Sequence, residues 1–183
     1  MGTRRYLPGL FVDTGVTLGL FLNWVVVALI VDHAADGEGR KGASLYLAIS
    51  SLVVNFAALY RSFSGIGDNE YARNHPETVL GLFFELVSLA QGWGCAFCAA
   101  RVWSLDSTAA FHADPFLHQL GNSIFEMSLV QSGTGWAADP PYTLAERAVA
   151  WAAAYIGGIL VMNIFIVSVV LSRRGWWVGV PVQ

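Results

Sequence analysis

Gln131-Ser132-Gly133-Thr134-Gly135-Trp136 is a short polar stretch with two glycines one residue apart. Before it lies a modestly apolar segment, residues 116–130, that carries His118, Gln119, Asn122 and Glu126. After it, residues 144–171 form a long apolar run that ends at Ser172-Arg173-Arg174. The fifteen residues 116–130 are too few to span a bilayer as a helix, but they suit a re-entrant segment. A loop at membrane depth is tolerated only where protein buries it or where it lines a watery cavity. Short helix, glycine-alternating loop and long helix therefore read as one device that aims the loop backbone at something.

The arrangement resembles the pore module of the tetrameric potassium-channel superfamily, over roughly residues 76–174. In that family an outer helix leads to a pore helix, a filter of the form Thr-Val-Gly-Tyr-Gly-Asp and an inner helix. The matching positions here are Gln131, Ser132, Gly133, Thr134, Gly135 and Trp136. Both glycines are kept, and the threonine, valine, aromatic and acidic positions are changed. Thr143-Leu144-Ala145-Glu146-Arg147 is similar to the Thr-Pro-x-Gly-Arg that often enters the inner helix. Gly157-Gly158 lies where the family often has a hinge, and Glu126 resembles the pore-helix carboxylate of some members. The resemblance implies a homotetramer in the lipid bilayer, with K+ or another monovalent cation at the loop. Thr134 stands where an aromatic would hold the ring diameter, and Trp136 replaces the acid at the mouth, so the expected channel is weakly selective. The alternative is a non-conducting structural or accessory subunit of a larger membrane complex, its loop buried against partners or lipid.

Composition limits the other classes. The 183 residues are 55% hydrophobic and 13% charged, at a mean hydropathy of +0.54, unlike an ordinary soluble domain. A net charge of -3 without a basic patch argues against nucleic acid. No nucleophile stands beside a base in the sequence, and the length leaves no room for a separate catalytic domain, so no enzyme is expected. Cys95 and Cys98 form C-x-x-C inside an apolar run, where they read as small packing residues rather than a redox pair or metal site. His112, Asp114 and His118 are close in sequence but have no standard metal-site spacing, and Asp114-Pro115 reads as a helix start.

Four spans are expected, at residues 11–31, 43–60, 77–103 and 144–171. Asn23 reads as an interhelical hydrogen-bonding residue, and Asn55 is the strongly polar interior residue of the second span. Glu85, Gln91 and Asn163 are polar positions inside later spans. A carboxylate such as Glu85 is a functional candidate by default, or else it sits at the interface or is neutral and hydrogen-bonded. Gly157-Gly158 is either a hinge or a close-packing patch. Arg101 and Trp103 read as an interface marker. Residues 1–75 form an N-terminal helix pair with a connector, 76–174 the channel-like module and 175–183 a tail. Arg4-Arg5 and Arg173-Arg174 put both termini on the cytoplasmic side by positive-inside counting. The expected fold is an all-α, multi-pass membrane protein with four transmembrane helices and a re-entrant pore helix and loop between the third and fourth.

Overall fold

The computed structural model describes residues 7–34, 37–66, 77–104, 114–135 and 143–173. The described residues form five helices: α1 (Leu7–Ala34), α2 (Gly37–Ile66), α3 (Glu77–Trp103), α4 (Phe116–Gln131) and α5 (Leu144–Arg173). At 1.5 Å per residue, α1, α2, α3 and α5 are about 40 Å long and α4 about 24 Å. Each follows an apolar run that is broken by turn-forming or charged residues.

Helix α3 is the centre and packs against all four others. Residues 88–95 are buried without a break, as expected of a helix enclosed on all sides. One apolar cluster joins α1, α2, α3 and α4 through Ala28, Leu47, Cys95, Cys98, Phe116 and Leu120. A second joins α2, α3, α4 and α5 through Leu59, Leu89, Phe97, Met127, Ala153 and Leu160. Cys95 and Cys98 are free, buried thiols within this packing. Helices α3 and α4 come close at Gly94, where a Cβ would come within 2.3 Å of the Ile124 Cα.

One end of the bundle collects polar groups from four helices. Asp32, near the end of α1, accepts from the backbone N–H of Phe116 and of Leu117, the first residues of α4. Arg40 of α2 lies 4.0 Å from the same carboxylate and donates to the Asp114 carbonyl. Trp103, which ends α3, donates to the Lys41 carbonyl. Helix α4 is preceded by Pro115 and has no side-chain cap of its own, so a carboxylate from α1 satisfies its free N–H groups and its dipole. Asp32→Ala should therefore lower stability by about 1–2 kcal/mol, read as a shift of the unfolding midpoint in denaturing detergent. Asp32→Asn should lose less, because its amide oxygen still accepts.

The structure corrects the expected pore architecture. The chain is an all-α bundle of five helices in which two segments, 14–33 and 38–60, are long and apolar enough to cross a membrane among the described residues. Segment 77–103 carries Glu85, Gln91 and Arg101 buried along its length, so it is the bundle's polar-bearing core helix rather than an apolar span. Residues 116–131 are a regular bundle member packed against α1, α3 and α5. No carbonyl-lined pore loop is present among the described residues, so the four-span fold with a re-entrant pore segment, and the channel function read from it, fall with it.

Candidate functional site

Three charged side chains meet inside the bundle, one from each of α3, α4 and α5. Arg101 Nη2 lies 3.3 Å from Glu126 Oε2, and Arg101 Nε lies 3.8 Å from Glu146 Oε2. The guanidinium also stands over the Phe97 ring, 4.5 Å from its centroid. All three groups are buried, at 8% exposure for Arg101, 5% for Glu126 and 2% for Glu146. Their positions have local causes. Arg101 is in the last turn of α3 and Glu146 in the first turn of α5, each the favourable end of a helix dipole for its charge. Thr143 Oγ1 accepts from the Glu146 N–H, so Thr143-x-x-Glu146 forms the threonine half of a capping box. The Glu146 side chain pairs across to Arg101. A planar guanidinium offers five donors and suits two carboxylates at once. Chemically, the cluster is a charge lock that ties together three helices.

The glycine loop is something other than a filter. The Gly133 N–H bonds to the Val130 carbonyl and the Thr134 N–H to the Leu129 carbonyl, at 3.1 and 3.0 Å. That pair of bonds, with Gly133 at a φ of 77°, is a Schellman C-cap closing α4 onto its own carbonyls. Ser132 Oγ adds a bond to the Leu129 carbonyl and lies 2.8 Å from Thr134 Oγ1. Gly135 also has a positive φ, 101°. Trp136 lies outside the described residues. Gly133→Ala has open space for its methyl but a strained backbone, so it should destabilise by about 1 kcal/mol. Gly133→Asn should lose less, and the unfolding midpoints of the two variants check the order.

The remaining candidates separate. Gln131 is buried, and its Nε2 donates to the Leu86 carbonyl at 2.9 Å. Gly157 leaves room for that side chain, since a Cβ there would come within 2.2 Å of the Gln131 Cγ, whereas Gly158 faces open space. Glu85 is buried on α3, sixteen residues and about 24 Å along the helix from Arg101, so it belongs to another region. Gln91 is buried on the same helix and lines a groove against α1 and α4. Asn55 is buried and donates to the Ser51 carbonyl within α2. Asn163 falls on α5, with its side chain outside those described. His118 is exposed beside Asp114, 3.3 Å away, and His112 lies outside the described residues. Sequence reasoning passed over Arg101 and Glu146 as partners. The Thr-x-x-Glu spacing was a visible signal for the second. A comparison with protein-family models, curated proteins and solved structures finds no match to this chain.

Proposed function

We propose that this chain is a multi-pass membrane protein that acts as a structural or accessory subunit of a larger membrane assembly. The observation that carries this reading is the inverted polarity of the bundle. Leu18, Leu22, Val26 and Ile30 recur every fourth residue along α1, and all are exposed. Ile49, Val53 and Phe56 form a like exposed row on α2 at steps of four and three, and Trp151, Tyr155 and Ile159 one on α5 at steps of four. Meanwhile Ser44, Ser51, Asn55, Gln119 and Ser123 are buried. A bundle in water places these classes the other way round. Contiguous apolar surface of this kind marks contact with lipid or with other chains, and polar side chains turned to the interior fit a hydrocarbon surround.

The polar end supports a boundary with water. Asp32, Glu38, Arg40, Lys41 and Asp114 gather there, and Trp103 sits among them with Lys41 5.8 Å from its ring centroid. Tryptophan with basic neighbours suits the headgroup level. Helices α1 and α3 end there and α2 begins there. The Arg101 lock supports a packing role, because its charges are committed to one another.

Alkaline carbonate extraction tests the first half. The chain is expected to stay in the membrane pellet, and its release into the supernatant would overturn the membrane reading. Native electrophoresis in mild detergent tests the second half. The expected species is a complex with unlike chains, well above the 19.8 kDa of one chain. A lone monomer would count against an accessory role.

A further inference from the structure

A groove of about 420 Å³ runs between α1, α3 and α4. That is within the range of pockets that hold small ligands. Its walls are apolar: Phe21 from α1, Leu86, Val87 and Ala90 from α3, and Ile124 from α4. Five polar residues line the same groove: Trp24, Gln91, Ser128, Gln131 and Ser132. The two serine hydroxyls bond to carbonyls of their own helix. Gln91 is 8% exposed and Gln131 7%. The Oε1 of each is buried without a hydrogen-bond partner among the described residues, and so is the Trp24 Nε1. Leaving polar atoms unpaired in an apolar surround is costly, and in hydrocarbon no water supplies the missing bond. The occupant must bring a polar group of its own.

We infer that this groove binds a neutral lipid alcohol, with its hydroxyl among Gln91, Gln131 and Trp24 and its tail along the apolar walls. The unpaired atoms comprise two acceptors and one donor; a hydroxyl accepts from the Trp24 Nε1 and donates its one proton to one of the two amide oxygens. No charged side chain lines the groove among the described residues, so a phosphate or carboxylate head would arrive there without a cation to meet it. A plain alkane would leave all three polar atoms unpaired. Phe21 and Val87, which line the groove, are also exposed, so apolar wall and outer apolar surface share these two residues. The assignment rests on the membrane reading for the source of the ligand, since the groove opens onto that face.

The test uses the full chain purified in mild detergent and a diazirine-bearing dodecanol as the photoreactive probe. Labelling is expected on peptides that contain Trp24, residues 86–91 and residues 124–132. Unlabelled dodecanol should compete about tenfold better than dodecane or dodecanoic acid, the ratio that one or two lost hydrogen bonds give. Gln91→Leu should abolish that preference while keeping helicity, since it replaces an unpaired amide by an apolar group. If that variant loses its helicity, Trp24→Phe carries the same expectation. Equal competition by dodecane would reduce the groove to an apolar contact and overturn the proposal. Preference for dodecanoic acid, or labelling that does not saturate, would also overturn it. Alcohol-selective labelling of a chain that carbonate releases would leave this site standing and refute the membrane reading. Membrane retention without alcohol selectivity would do the reverse.

Discussion

Replacing Arg101 by methionine should destabilise the bundle by about 3–5 kcal/mol, enough to unfold a marginal domain. The methionine roughly fills the stem's volume, so the loss is electrostatic. Glu126 and Glu146 would remain buried on α4 and α5 with the cation between them removed. An uncompensated buried charge is far more costly than a buried pair. The check is the unfolding midpoint of purified protein in a graded denaturing detergent, followed by circular dichroism. A companion variant isolates the cause. Arg101→Met combined with Glu126→Gln and Glu146→Gln leaves no buried charge at the centre, and it should recover most of the lost stability. Similar midpoints for the single variant and the wild type would mean the three charges do not hold the helices together.

Gly94→Ala should be the most damaging glycine-to-alanine change among the described glycines, at about 1–3 kcal/mol. The added carbon would sit 2.3 Å from the Ile124 Cα and 2.8 Å from its backbone nitrogen. Backbone cannot rotate away as a side chain can, so α3 and α4 must separate. Small residues at such crossings are what allow helices to approach in a membrane-type bundle. Gly121→Ala is the matched control, because nothing lies within 4 Å of its Cβ position. The control should be neutral or slightly stabilising, by up to about 1 kcal/mol from the better helix former. Thermal melts of both variants in the same detergent decide it. Equal midpoints would show that the crossing is loose.

The helices were legible in the sequence because each is a sustained apolar run. Segment 77–103 has the bounds of α3, and Asp114-Pro115 does stand at the start of α4. The glycine loop was legible only in part. Two glycines one residue apart announce positive φ angles, and Gly133 and Gly135 have them. The same signal serves a filter or a helix C-cap, and only the bonds from Gly133 and Thr134 to the carbonyls behind them separate the two. Thr143-Leu144-Ala145-Glu146 was misread for a like reason. It matches a worn channel motif and also the start of a capping box, and the Thr143–Glu146 bond selects the second. Arg101 looked like an interface marker because it stands near Trp103. Its burial depends on carboxylates that lie 25 and 45 residues later, which no local pattern connects. Gly94 could not be picked out among its neighbours, since its importance depends on where Ile124 comes to rest.

The Asp32 carboxylate on the start of α4 has a consequence for the order of assembly. The bond joins residues 84 positions apart, so the first helix made must wait until the fourth has emerged before that contact closes. Until then α4 has exposed N–H groups at its start and a rigid proline ahead of it, and little holds it in place. The N-terminal helix thus acts as an internal template, docking early and receiving a later segment at its far end. A chain synthesised without residues 7–34 would make the same fourth helix without the carboxylate that meets its first N–H groups. Supplying that first helix as a separate peptide should restore the anchor in trans.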